Sequence, residues 1–383
     1  MTDPTRRNFL TAAASAAAPF FIKADDKSDD KPPIIGEGDH HYECIHDWGE
    51  LPANIKYGNT HSVCEDAQGH IYIHHTVYKD SPSPDSVVVF DEKGKFVRSF
   101  GAMFRGGAHG MHLSKEGTAD YLYFCDEKHG IVTKRTLKGE EVWSMGYPQE
   151  SPAYARGPGA PGLTYRPTNF AIAPNGDFWV GDGYGSSYMF HYTQSSATAF
   201  PKLKNTFGGP PATPPVAAAG RGTGGRAPRQ PNQAGVPRDV PIESMSTPHG
   251  NMVDKRDPKN LVLLVADRGN SRIVRYTLDD KPIDVIAGTL QPCHFHTHPN
   301  GKDIVVPDLS ARVTVLDKDN KIVLHLGEGL TGNPPESNRE QRLQHRTDHR
   351  LPVPRSFGLR VDAIAAGSIQ DGPPAIAAVV PLV

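Results

Sequence analysis

The stretch "PHGNMVDKRDPKNLVLLVADRGNSRIVRYTLDDKPIDVI" (248–286) decides how this chain folds. A short apolar run follows Pro248-His249-Gly250, and a polar Asp-Pro-Lys-Asn turn leads to a second apolar run that ends on Asp267. A third run, "RIVRY", is joined to a fourth, "PIDVI", through the tight turn at Asp279-Asp280. Short β-rich runs separated by Gly, Asn and Asp turns are the mark of antiparallel strands joined by hairpins. The stretch therefore predicts four strands in sequence.

The same order recurs along the chain. "THSVCEDAQGHIYI" (60–73), "AHGMHLSKEGTADYLYF" (108–124), "PTNFAIAPNGDFWVGD" (167–182) and "PCHFHTHPNGKDIVVPD" (292–308) each give a strand, a turn and a second strand. In four of the five units, all but the one at 60–73, the second strand runs into an Asp. Four-stranded units at intervals of roughly 45 residues predict an all-β fold, the β-propeller. A β-sandwich would not explain the repeated strand order. Five blades are expected from these units. A sixth, poorly defined, is suggested by "PRSFGLRVDA" (354–363), making a six-bladed propeller over 40–383. Residues 208–239, rich in Gly, Pro, Ala and Arg, cannot bury a core and are expected to protrude between blades three and four.

Composition agrees. The 383 residues hold 38 Gly and 35 Pro, as a turn-rich β protein requires, and the formal net charge is −2. That charge gives no electrostatic case for nucleic acid. At the N-terminus, "PTRRNFLTAAASAAAPFF" (4–21) has paired arginines ahead of a small apolar run, which resembles a twin-arginine export signal over residues 1–23. The run is too short and Ala-rich for a membrane span, so none is expected once the signal is removed. Residues 24–39 then form a polar linker, and the location expected is periplasmic or extracellular. That compartment permits disulfides, but Cys44, Cys64, Cys125 and Cys293 show no metal-type spacing and no pairing that the sequence settles.

Counting back from each turn reaches one slot at the start of each first strand. It holds His61, His109, Thr168, His249 and Cys293, the last followed by His294 and His296, and Phe357 in the sixth unit. First strands line the channel of a propeller, so equivalent positions form a ring around it. Sequence-distant imidazoles on such a ring can converge on a zinc ion with an open coordination position. They can equally serve the fold, each ring bonding backbone in a neighbouring blade.

The units resemble NHL repeats, with "ADRGNSRIVRY" (266–276) the best match. Residues 58–325 resemble the lyase domain of peptidylglycine α-amidating enzymes, a six-bladed NHL propeller that cleaves a peptidyl-α-hydroxyglycine into a peptide amide and glyoxylate. "AHGMHLS" and "TPHGNMV" match that family's zinc-histidine motifs with His109 and His249. "VGDGYGSS" supplies Tyr184 at the family's catalytic tyrosine, and "ADRGNSR" supplies Arg268 at an arginine position. Two features depart from the family. Phe357 stands where its third histidine belongs, and "IYIHHTVY" (71–78) lacks its blade-one arginine. A third ligand would have to be His61, His294 or water. The resemblance implies zinc, with calcium by resemblance alone, a small peptide-like substrate, and a monomer. The competing expectation is a non-catalytic propeller that binds a peptide, protein or carbohydrate, since fold does not fix function. Replacing Arg6 and Arg7 with lysine is expected to hold the protein in the cytoplasm, as read by cell fractionation; unchanged export would remove the twin-arginine reading.

Overall fold

The computed structural model describes residues 34–46, 48–157, 164–211, 239–310 and 312–327, together with the backbone of short strands at 363–364 and 377–381. The expected export signal, residues 212–238 of the Gly/Pro-rich insertion and Phe357 lie outside the described residues. The strands form six four-stranded antiparallel sheets. Five are simple meanders in chain order and make a β-propeller. Blade one is Thr60–Glu65, Ile71–His75, Val87–Phe90 and Phe96–Phe100. Blade two is Ala108–Glu116, Ala119–Asp126, Ile131–Thr136 and Glu141–Met145. Blade three is Asn169–Ile172, Phe178–Gly181, Tyr188–Thr193 and Lys202–Gly208. Blade four is Pro248–Asp254, Val262–Asp267, Arg272–Tyr276 and Pro282–Ile286. Blade five is His296–Thr297, Ile304–Asp308, Arg312–Leu316 and Ile322–Leu326.

The sixth sheet differs from the sequence expectation. It joins both ends of the chain, in the order Ile34–Glu37, His40–His46, Ala377–Pro381, Ala363–Ile364. Its central pairing runs from Tyr42 opposite Pro381 to His46 opposite Ala377. Of residues 354–363 only Ala363 is described, at the start of a short strand, and a strand appears at Ile34–Glu37, inside the segment read as linker.

Blades stack because the second and third strands bury both faces. In blade two, Leu122 and Phe124 pack on blade one, while Tyr123 and Cys125, one residue out of phase, pack on blade three. In blade four, Leu263 and Val265 face blade three, and Leu264 and Ala266 face blade five. Alternate side chains point to opposite faces of a strand, so a blade between two neighbours needs a continuous apolar run rather than an alternating one. Burying each large side chain contributes about 1.5–3 kcal/mol.

A second device ties the blades near their outer edges. A polar side chain of one blade reaches into a turn of the next. Arg98 donates to Leu137 O at 2.7 Å, Lys134 to Ala197 O at 2.5 Å, and Arg256 to Asp317 O at 2.7 Å and Asn320 Oδ1 at 2.6 Å. Between blades three and four the same sense is kept, and the side chain of the turn residue Asp280 supplies the acceptors. Its carboxylate takes hydrogen bonds from Trp179 Nε1 (2.6 Å), His191 Nδ1 (2.9 Å) and Asn205 Nδ2 (2.9 Å). Those donors hold its pKa down against the opposing effect of burial. Asp280 also sits at φ +63°, where Asp and Asn are tolerated better than most residues. Asp280→Ala is expected to cost about 3 kcal/mol, because it strands buried donors as well as removing a charge. Asp280→Asn should cost less. Chemical denaturation reads both, and an unchanged midpoint for the alanine variant would show that this tie carries no stability.

Candidate functional site

In blades three, four and five the slot residues owe their position to the aspartate at the end of the second strand. Asp182 Oδ1 accepts the N–H of Arg166 at 2.7 Å, Asp267 Oδ1 that of Ser246 at 2.7 Å, and Asp308 Oδ2 those of Leu290 and Gln291 at 2.7 and 2.8 Å. Each donor lies two or three residues ahead of the slot. The buried carboxylate therefore fixes the loop that enters the first strand. Blade one has no such Asp, and His75 takes the position. It pairs with Thr60 as Asp267 pairs with Pro248, and its Nδ1 accepts the N–H of Gly58 at 3.4 Å and of Val77 at 3.0 Å.

Ladder register then slips at the slot, between Thr60 and Ser62, Ala108 and Met111, and Pro248 and Asn251. A bulge leaves its extra residue unpaired and re-aims its side chain. This is the local reason that His61, His109 and His249 leave the ladder. The glycine after the histidine has a definite task. A Cβ on Gly110 would lie 2.4 Å from Thr168 O, and one on Gly250 would lie 2.3 Å from Cys293 O. Only glycine lets the next blade's slot carbonyl come this close.

Those carbonyls are the partners of the histidines. His109 Nδ1 bonds Thr168 O at 2.6 Å, and His249 Nδ1 bonds Cys293 O at 2.8 Å. Blade one joins through Ser62, whose hydroxyl donates to His109 O at 3.0 Å, and blade three through Thr168, whose hydroxyl donates to Pro248 O at 2.8 Å. A hydrogen-bonded chain thus runs from blade to blade through all five. A carbonyl can only accept, so each Nδ1 carries the proton and each Nε2 presents a lone pair. The structural alternative weighed from sequence is seen at Nδ1 of each ring, and it leaves each Nε2 to face another partner.

Both free nitrogens address Tyr184. Its hydroxyl lies 3.0 Å from His249 Nε2 and 3.3 Å from His109 Nε2. The rings of His109 and His249 are 4.8 Å apart at an angle of 72°. Tyr184 rides on a turn held by Asp182, which accepts the backbone N–H of Ser186 at 2.7 Å. Flanking glycines are needed there too, since a Cβ on Gly183 would lie 2.3 Å from Pro248 O and one on Gly185 2.1 Å from Thr164 O. Arg268, in the turn after Asp267, donates from Nη1 to the Tyr184 hydroxyl at 3.2 Å. Tyr184 has one proton to give and two imidazole acceptors. With that proton on His249, the lone pair of His109 faces the site without a donor.

Electrostatics keep the site in one state near neutrality. Burial, followed by the neighbouring imidazoles and Arg268, holds His109 well below the usual histidine range; burial and Arg268 do the same for His249. Both are neutral, as metal ligands or proton acceptors must be. Burial raises the Tyr184 phenol and Arg268 opposes it, with burial the larger effect. Tyr184 is therefore a neutral phenol in the protein alone.

The remaining predicted ligands separate. His61 stacks beside His109, with ring centroids 4.6 Å apart, and burial and Arg268 hold its pKa down to about 4. His294 lies in another cluster, 5.0 Å from His112. There Asn169 bridges the two rings. Its Oδ1 accepts from His112 Nε2 at 2.7 Å, and its Nδ2 donates to His294 Nδ1 at 3.2 Å. The Nδ1 lone pair of His294 is thereby engaged, which argues against it as the third ligand. Among the described residues, no three His, Cys, Asp or Glu side chains converge into a complete metal cage. Two imidazole nitrogens, Nε2 of His109 and of His249, converge on the Tyr184 hydroxyl, one short of the three protein ligands of a catalytic zinc site, with the His61 ring beside His109.

The sequence reading missed Arg166. Its guanidinium carbon lies 5.4 Å from the Tyr184 ring centre, against 5.1 Å for Arg268. Its signal was available: it stands two residues before the blade-three slot, in a loop that the Asp tie holds in place.

No protein-family model matches the chain, and no curated protein matches it. Among solved structures it is similar to a streptogramin B lyase, at 12% identity over 76% of this chain and 74% of that one, with a TM-score of 0.43. A catalytically inactive virginiamycin B lyase from Staphylococcus aureus, solved with quinupristin, gives 12% identity, 76% and 75% coverage and a TM-score of 0.42. A functionally unknown protein from Desulfotomaculum acetoxidans gives 11%, 79% and 81%, and 0.45.

The buried histidines set an acid limit on the fold. Burial lowers His75 to about 3 and His112 to about 4, both below the unfolded value. As pH falls below about 6.5 the unfolded chain takes up protons first, so stability falls by about 1.4 kcal/mol per pH unit for each such group. The loss levels off below the folded values. Melting temperature is expected to drop steadily from pH 6.5 to 4.5, and a flat profile there would contradict the burial of these rings.

Proposed function

We propose that the chain is an exported, metal-dependent lyase acting on α-hydroxyglycine-type carbinolamides and releasing an amide and glyoxylate. The observation that supports it is the Tyr184 hydroxyl, set between two neutral imidazole nitrogens and an arginine. The Nε2 atoms of His109 and His249 would hold zinc, which when bound supplies a Lewis acid for the substrate hydroxyl.

The chain's own residues account for the proton. With His249 Nε2 committed to the metal, Tyr184 would act as a phenolate whose charge Arg268 stabilises, and it takes the proton of the substrate hydroxyl. The hydroxyl oxygen forms the aldehyde C=O, the C–N bond breaks, and its electron pair goes to the amide nitrogen. The proton returns through Tyr184 to that nitrogen. One carbinolamide gives one amide and one glyoxylate, and no water is consumed. Arg268 stabilises that charge through its hydrogen bond to the phenol oxygen.

The direct test incubates purified protein with an N-acyl-α-hydroxyglycine and measures glyoxylate, alongside zinc content. Tyr184→Phe is expected to lower kcat by about 100-fold or more while leaving metal content unchanged. His249→Ala should lose both metal and activity. A protein that holds no metal and cleaves no carbinolamide would be a binding propeller instead.

A further inference from the structure

The family resemblance leaves one position empty: blade one lacks the expected arginine, and His74-His75 stand there instead. The structure brings a second arginine to Tyr184 from another blade. Arg268 is engaged, its Nη1 on the tyrosine hydroxyl. Arg166 is held differently. Its Nε and Nη2 both donate to Glu127 Oε2. A guanidinium has five N–H donors in a planar fork. The edge of Arg166 that carries Nη1 meets no partner among the described residues, and the side chain is 43% exposed, so that edge is open to a ligand.

The mounting of this arginine is rigid. Asp182 Oδ1 holds its backbone N–H at 2.7 Å, and its carbonyl accepts the N–H of Tyr184 at 3.4 Å. Glu127 follows the Asp126 that ends the second strand of blade two, and its N–H donates to Gly107 O at 2.8 Å, two residues before His109. The guanidinium is thus fixed relative to the tyrosine on one side and the His109 loop on the other. Glu127 occupies one edge of the fork and orients the other.

We propose that Arg166 is the carboxylate-binding residue of the site, selecting substrates that carry a carboxylate beside the reacting carbon, while Arg268 serves Tyr184. This rests on the lyase reading for the identity of the substrate but not for the existence of the carboxylate site. An arginine edge matches a carboxylate in two parallel hydrogen bonds, which a lysine cannot reproduce. Glu127 is then a positioning residue: it touches the arginine and not the substrate.

Three proteins test this: wild type, Arg166→Met and Arg166→Lys. The Asp182 tie is to backbone, so both variants keep it, and their melting temperatures should stay near that of wild type. Calorimetry with glyoxylate is expected to show binding by wild type and at least about tenfold weaker binding by Arg166→Met, with Arg166→Lys between them. In turnover, Arg166→Met should raise KM for an N-acyl-α-hydroxyglycine about 10- to 100-fold, and lose far less on the N-hydroxymethyl amide that lacks the carboxylate. Equal losses on both substrates, or glyoxylate binding that ignores the substitution, would overturn the assignment. Wild type that binds no carboxylate would overturn it as well. Wild type that binds glyoxylate through Arg166 but cleaves neither carbinolamide would leave the carboxylate site standing and remove the lyase reading.

Discussion

The constraint on which the site depends is the hydrogen bond from each slot to the backbone carbonyl of the next. Ser62 to His109 O, His109 to Thr168 O, Thr168 to Pro248 O and His249 to Cys293 O form one continuous run across five blades. The bulges take the His109 and Pro248 carbonyls out of regular pairing, the Thr168 and Cys293 carbonyls lie just ahead of their strands, and a buried carbonyl without a partner costs about 1–3 kcal/mol. Side chains that can donate at this level are therefore required by the fold, before any chemistry is considered. Histidine meets the requirement with one nitrogen and keeps a second. Thr168 meets it with its only hydroxyl and keeps nothing. The site is a by-product of how the blades are joined, put to use where the donor is an imidazole.

The repeat was legible because burial on both faces of a blade writes a continuous apolar run, and "YLYFCD" and "LVLLVAD" are such runs. The Asp after the second strand was also visible, although its task, holding the entry loop of its own blade, needed distances. Blade one shows why that task was hard to infer. His75 does with a ring nitrogen what Asp182, Asp267 and Asp308 do with a carboxylate, so chemistry is retained while residue type is not. The sixth sheet was not legible. It joins residues 34–46 to 363–364 and 377–381, and no local pattern relates segments so far apart. The inter-blade tie through Asp280 was hidden in the same way: the residue reads as an ordinary turn position, and its partners are on another blade.

The site gathers positive charge without a carboxylate of its own at the reacting end. Arg268 and Arg166 both lie over Tyr184, and among the described residues the one acid bonded to either guanidinium is Glu127, on Nε and Nη2 of Arg166. Protonating the histidines would add to this charge, and their burial beside Arg268 opposes it. The balance favours neutral imidazoles.

His249 and His294 show why counting histidines could not separate ligands from the rest. They lie on neighbouring blades, near the starts of their first strands, and burial lowers both. What differs is the group on Nδ1. A carbonyl forces the proton onto that nitrogen of His249 and leaves Nε2 as a lone pair. An amide NH2 of Asn169 takes the Nδ1 lone pair of His294, so the neutral ring carries its proton on Nε2. One ring can bind a metal or accept a proton through its outward nitrogen, and the other can only donate from it. The chemical role is set by a neighbour on a different blade, which is why His109 and His249 form a site with Tyr184 while His294 joins His112 in a separate network.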